Sequence, residues 1–193
     1  MKKRLLQLLL MGVGFPFALQ AQEPAKKSNC GCSFSSINQI GLLEGSSRTS
    51  YQLQSINGLR YNTWFAGIGV GLDRYRFTTV PVFFDLRKDF TKKPNTAFFY
   101  GDLGVHLPWV RKNEKEFFAD AKYNRGLYYD MGLGYNVDLG NKRALLFSGG
   151  ISLKKIRETR NYTVVCVMGP CPEQTEHYDF SLKRFSVKAG IRL

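Results

Sequence analysis

The feature that most constrains this chain is a two-residue alternation of apolar with small or polar side chains. Between Leu127 and Leu139 every second residue is apolar, and Gly, Asn, Asp and one Tyr fill the positions between them. Successive side chains of a strand point to opposite faces. The pattern therefore predicts a strand with one apolar and one polar face. The same alternation recurs over residues 64–73 and 185–193, which indicates an all-β protein.

Further segments with this alternation bring the predicted strand count to eight, the even number that single-chain bacterial barrels show. The additional segments are residues 37–45, 49–57, 79–87, 97–107 and 144–154. The register of the first two strands stays open, because Tyr51 and Leu53 favour one face and Ile56 favours the other. A slip of one residue would exchange the two faces of a strand.

The N-terminus has the layout of a secretory leader. Met1, Lys2, Lys3 and Arg4 precede an apolar run, and Ala21 closes a plausible cleavage site. We therefore predict a signal peptide over residues 1–21, a polar periplasmic tail over residues 22–36 and a barrel over residues 37–193. After the leader, no apolar run is long enough for a membrane helix, and only helices and closed barrels satisfy every backbone group in lipid. The predicted fold is an eight-stranded antiparallel transmembrane up-and-down β-barrel in the cell outer membrane.

The predicted connections are unequal at the two ends of the barrel. If both ends of the barrel domain face the periplasm, the periplasmic turns fall at residues 57–62, 88–95 and 140–142. The outer loops then fall at residues 46–48, 73–77, 108–125 and 157–177. The two longest outer loops match the outer-membrane pattern of short periplasmic turns and long extracellular loops.

The faces predicted to point into the barrel carry charges of both signs. An eight-stranded barrel is narrow enough for side chains to fill its interior, and unpaired charges in such a space are costly. We therefore predict a network of paired groups instead of an open pore, with a narrow ion path as the alternative. The predicted members are Asp85, Arg87, Asp102, Asp130, Lys188 and Arg192, with Lys154 on the same face.

Basic residues gather at the predicted outer ends of the last two strands of a chain whose formal net charge is +13. Basic clusters attract anionic head groups. The candidates for contact with lipopolysaccharide are Lys154, Lys155, Arg157, Lys183 and Arg184. The alternative is that these are solvated loop charges. An exported chain meets little nucleic acid, so we expect none as a partner, and the oligomeric state stays open.

The sequence offers little support for cofactor, metal or catalytic chemistry. Cys166 and Cys171 are close enough in one loop to form a disulfide, although the full cysteine connectivity stays open, and no His accompanies them at zinc-site spacing. His177, Asp179 and Ser181 share one strand face, but residues two apart on a strand lie about 6.6 Å apart, beyond hydrogen-bond reach. We predict no cofactor, no metal and no enzymatic activity, with lipid A modification as the less favoured alternative.

Three segments carry a resemblance to a known family. They are the glycine-rich strand over residues 64–72 with Asp73-Arg74-Tyr75 after it, the run over residues 80–87, and the terminal residues 189–193. Together they resemble the small outer-membrane β-barrel proteins of Bacteroidota, and the plan is similar to that of OmpX-like and OmpA-like barrels. The resemblance implies recognition of the last strand by the barrel-assembly machinery, although the final residue here is Leu193 instead of Phe. The filled bore and the basic outer residues favour a structural or surface-interaction role, with a narrow porin-like channel as the alternative.

Overall fold

A computed structural model describes residues 31–45, 48–75, 78–109, 119–163 and 173–193. The strands are β1 (Cys32–Glu44), β2 (Ser50–Tyr61), β3 (Trp64–Arg74), β4 (Thr78–Asp89), β5 (Thr96–Pro108), β6 (Ala119–Asn124), β7 (Gly126–Gly140), β8 (Arg143–Thr163) and β9 (Glu173–Arg192). Within these ranges there is no helix that is long and apolar enough to cross a membrane.

Eight of these strands form a closed antiparallel ring. Each strand pairs with its neighbour in the order β1-β2-β3-β4-β5-β7-β8-β9, and β9 pairs in turn with β1. The short strand β6 pairs with β8 beyond the point where β7 begins, so it adds no strand to the ring. The predicted eight-stranded antiparallel barrel is therefore confirmed.

The two ends of the barrel differ in how the strands are joined. At one end, here called the short-turn end, β2 joins β3 through Asn62 and Thr63, and β7 joins β8 through Asn141 and Lys142. Asn141 and Lys142 both have positive φ, 51° and 63°. Positive φ at both central residues is the geometry of the hairpin turn that matches strand twist. The connection between β4 and β5, residues 90–95, also lies at this end. The opposite end, here called the long-loop end, carries the two longest connections, between β5 and β6 and between β8 and β9.

The structure fixes the register that the sequence left open. Ile37 and Ile56 are paired across β1 and β2 and are fully buried inside the ring, whereas Tyr51 and Leu53 are exposed on its outer surface. β1 begins at Cys32 and pairs with β2 as far as Tyr61. The predicted boundaries are wrong here, because residues 32–36 belong to a strand instead of a tail and the predicted turn at 57–62 shrinks to two residues.

Aromatic and aliphatic side chains fill the interior of the ring, here called the bore. The buried cluster contains Ile37, Ile56, Phe65, Phe83, Phe98, Tyr100, Tyr128 and Leu146. Glycines on the neighbouring strands make room for the rings. A Cβ on Gly69 would lie 2.5 Å from the Phe83 ring, and one on Gly134 would lie 2.3 Å from the Phe98 ring. The glycine-rich inward faces are therefore a packing requirement of a narrow bore.

β8 and β9 continue well past the ring at the long-loop end. They pair as far as Thr163 and Glu173, and β6 pairs with β8 from Asn124 to Ala119. β6 and the outer parts of β8 and β9 thus form a three-stranded extension. The predicted loops at residues 108–125 and 157–177 are partly wrong, because strand occupies residues 119–124, 157–163 and 173–177. Residues 157–163 and 173–177 are mostly polar and show no apolar alternation, and the alternation over residues 119–124 is short and contains only two alanines and one tyrosine as apolar residues.

Candidate functional site

Three aspartates stand side by side across the middle of the bore. The register pairs Asp85 of β4 with Asp102 of β5, and Asp102 with Asp130 of β7. The Lys188 ammonium lies 3.0 Å from Asp130 Oδ2 and 3.5 Å from Asp102 Oδ2, and all three side chains are buried. Arg87 lies 2.9 Å from Asp85 Oδ2. The predicted inward charges of this level therefore lie in contact with one another.

Neutral polar groups extend this central network across the bore. Arg87 donates to Gln39 Oε1 at 3.3 Å, Gln39 donates to Gln54 at 2.5 Å, and Gln54 donates to the Tyr128 hydroxyl at 2.9 Å. Tyr100 donates to Asp130 Oδ1 at 2.9 Å. Side chains from opposite sides of the ring are thus joined by hydrogen bonds across the middle of the bore.

A second charged level lies nearer the long-loop end. The Lys154 ammonium lies 2.5 Å from Asp73 Oδ2 and donates to Thr79 Oγ1 at 2.7 Å. Lys154 is fully buried, so the prediction that it contacts lipopolysaccharide is wrong. It lies on the inward face, as the alternation predicts, and its partner there is Asp73. Tyr75 follows β3, and its hydroxyl donates to Ser152. Burial raises the pKa of that hydroxyl above its usual range, so Tyr75 stays protonated as a donor.

A third charged level lies at the short-turn end. Arg60 pairs with Asp89, and Asn136 donates to Asp89 Oδ1 at 2.9 Å. Arg192, a predicted network member, is half-buried at this end, and no ion pair of Arg192 is found within the described residues. The bore therefore carries charged clusters at three levels along its length.

A β-bulge lies at the outer rim of the ring, which is its edge at the long-loop end. Between the pairs Tyr128↔Lys154 and Asn124↔Arg157, three residues on the β6–β7 side face two on β8. His106 Nε2 lies 2.8 Å from the carbonyl oxygen of Lys155 at this point, and the His106 side chain is fully buried. The bulge marks the start of the three-stranded extension.

The remaining basic candidates occupy different surroundings. Lys155 and Lys183 are exposed on the outer surface of β8 and β9, where Lys155 pairs in register with Ser181 and Lys183 pairs with Leu153. Arg157 is also exposed and lies 2.9 Å from Asp179 Oδ1. Arg184 turns to the inward side and donates to the carbonyl oxygens of Arg48 at 2.5 Å and Tyr75 at 2.7 Å, so it fastens loops together.

The structure separates the residues that could suggest catalysis. His177 Nδ1 lies 3.2 Å from Thr159 Oγ1, and Asp179 contacts Arg157 instead of His177. Cys166 and Cys171 fall outside the described residues, as does Cys30, while Cys32 is exposed at the start of β1. Within the described part of the chain, no group of three His, Cys, Asp or Glu side chains could hold a metal ion.

Sequence reasoning left several network residues out. Asp73 is in phase with the inward glycines of β3, and Asp89 is in phase with Asp85 and Arg87, so a strict two-residue count would have found both. Arg60 lies in a segment predicted as a turn. His106 is in phase with Asp102, so alternation places it inside, but its partner could not be predicted because it depends on a bulge in two other strands.

Comparisons with known proteins address the fold. No protein-family model and no curated protein matches the chain. The structure is similar to Neisserial surface protein A (NspA), with a TM-score of 0.51 and 14% identity over 84% of this chain and 98% of that one. It is similar also to the outer membrane protein OprG from Pseudomonas aeruginosa, with a TM-score of 0.55 and 12% identity over 84% and 95%. The fold is that of small outer-membrane β-barrels. The Bacteroidota affinity stays a prediction.

Proposed function

We propose that this chain is an outer-membrane barrel with a closed bore, and that it acts as a structural or surface-interaction protein at its long-loop end. The observation that carries the proposal is the contrast between its two surfaces. Large apolar side chains cover the outside of the ring, with Phe34 70% and Ile68 68% exposed, while charged groups are buried inside. An apolar exterior of this kind suits lipid, and a soluble protein of this size rarely exposes so much apolar area.

The long-loop end is proposed to face outward from the cell, with export through the predicted leader at residues 1–21. This orientation puts the short turns in the periplasm, as in other barrels of this class. Insertion is proposed to use the barrel-assembly machinery, with β9 as the recognised strand. The three-stranded extension then rises from the membrane surface as the part available to partners.

Lipopolysaccharide is the proposed ligand of the outer rim. Lys155 and Lys183 lie just above the apolar residues Ile151 and Phe185 of the same strands, which is where a phosphate group would meet the barrel wall. Cationic side chains at a membrane surface attract anionic lipids by about 1 kcal/mol each. Arg157 is a weaker candidate because Asp179 already neutralises it.

Co-purification with lipopolysaccharide tests this ligand. The double variant Lys155→Gln/Lys183→Gln should retain clearly less lipopolysaccharide than the native chain after detergent extraction. Lys142→Gln is the matched control, because Lys142 is exposed at the opposite end of the barrel. Equal lipopolysaccharide content in all three proteins would refute the proposed contact.

A narrow channel is the second candidate function, and the paired bore opposes it. The buried contacts of Lys188 and Arg87 occupy the middle of the bore. In planar bilayers we expect no stepwise conductance from the purified protein, and regular channel openings would overturn the closed bore. We propose no catalytic role; a change in lipid A acyl chains that depends on the protein would contradict that statement.

A further inference from the structure

The outer wall of the ring carries polar side chains at one place within its apolar belt. Four outward residues of β1 and β2 form what is here called the polar patch: Ser36, Asn38, Ser55 and Asn57. Asn38 pairs in register with Ser55, and Ser36 pairs with Asn57. Both asparagines are exposed, and both serines are half-buried. The patch is thus a compact square of amides and hydroxyls on the outside of the barrel.

Apolar side chains surround the patch on every side. Ile40 and Leu53 lie above it, Phe34 and Leu59 lie below it, and Ile68 and Val70 of β3 flank it. Val70 belongs to the middle of the outward row of β3, so the patch lies within the apolar belt instead of at its edge. Several of these neighbours are highly exposed, with Ile68 at 68% and Ile40 at 63%.

The opposite wall has no such feature. The outward positions of β5 and β7 carry large apolar residues there, such as Leu103 and Met131. Water is absent from the hydrocarbon region, so an amide facing lipid lacks hydrogen-bond partners and is unfavourable there. The concentration of amides on β1 and β2 therefore marks this wall as a surface that meets another protein surface.

We propose that the polar patch is the contact surface of a homodimer in the membrane, an inference that rests on the proposed outer-membrane placement. The patch is uncharged, and each of its side chains both donates and accepts hydrogen bonds, so it is complementary to itself. Self-complementary patches form two-fold interfaces in which residue i meets j and j meets i.

The geometry of the ring fits such an axis. Asn38 and Asn57 are diagonal neighbours across β1 and β2. The proposed two-fold axis runs along the membrane normal beside these two strands. It brings the four polar side chains of one copy against those of the other. Ile40 and Ile68 then pack around the amide pairs, because they project beside the patch.

Sedimentation equilibrium of the refolded full chain in density-matched micelles tests the proposal. The native chain should show a reversible monomer–dimer equilibrium. The variant Asn38→Leu/Asn57→Leu removes the amides but keeps apolar bulk, so it should fold and should raise the dimer dissociation constant about tenfold or more. Asn38→Gln/Asn57→Gln should retain part of the association, because it keeps the amides.

A matched pair of apolar variants locates the interface. Ile68→Ala should weaken the dimer, and Leu103→Ala, on the opposite wall and 60% exposed, should leave it unchanged. A folded native chain that stays monomeric at every protein-to-detergent ratio overturns the proposal, as does a leucine double variant that dimerises normally. Failure of the native chain to insert into bilayers would instead count against the proposed outer-membrane function.

Discussion

Replacement of Lys188 by Met should destabilise the barrel severely. The Lys188 ammonium bridges Asp130 at 3.0 Å and Asp102 at 3.5 Å, and the three side chains are at most 1% exposed. Met has a similar length but leaves two buried carboxylates without their cation. Removal of one partner from a buried ion pair costs about 3–5 kcal/mol. The variant leaves the pair of Arg87 with Asp85 intact, so only Asp102 and Asp130 lose their cation. We therefore expect a loss of this size in the free energy of unfolding.

Urea unfolding of the refolded protein in lipid vesicles, followed by tryptophan fluorescence, measures this effect. Lys183→Met makes the same chemical change on the same strand at an exposed position, and should change stability by no more than about 0.5 kcal/mol. Adding Asp102→Asn and Asp130→Asn to Lys188→Met should recover much of the loss, because the unpaired charges disappear. Equal stability of Lys188→Met and Lys183→Met would refute the reasoning, as would a triple variant less stable than the single one.

Three further predictions concern packing, the bulge and a turn. Gly69→Ala should lower the free energy of unfolding by about 1–3 kcal/mol, measured by urea unfolding, because the added Cβ would lie 2.5 Å from the Phe83 ring. Gly101→Ala should be tolerated, because its added Cβ would lie 4.0 Å from the nearest atom. His106→Ala removes the hydrogen bond to the Lys155 carbonyl and should speed limited proteolysis of the three-stranded extension; a rate no faster than that of His177→Ala would contradict this role. Lys142→Gly, at φ 63°, should stabilise the hairpin by up to about 1 kcal/mol, and a lower unfolding midpoint would show that the turn geometry is wrong.

The ring could be predicted from the sequence because a barrel repeats one simple rule. Residues 127–139 and 185–193 alternate strictly, so their outward and inward faces were correct. The rule weakens in β1 and β2, where Ile37 and Ile56 point inward and the amides of Asn38 and Asn57 point outward. Apolar content alone could not choose the face there, and strand pairing with β3 and β9 decided it.

The charged network was partly predictable. Alternation places Asp85, Asp102 and Asp130 inside, but their alignment depends on the registers of β4, β5 and β7, which the sequence does not specify. The rim was harder, because Lys154 and Lys155 are adjacent in sequence and point to opposite sides of the wall. A basic cluster in the sequence therefore became one buried cation and one exposed cation in the fold.

Gel mobility combined with membrane fractionation tests the central claim most directly. A closed barrel in lipid resists detergent until it is heated, so the unboiled protein should migrate differently from the boiled protein. The same protein should fractionate with outer membranes. Identical mobility before and after boiling, together with recovery in a soluble fraction, would contradict an outer-membrane β-barrel.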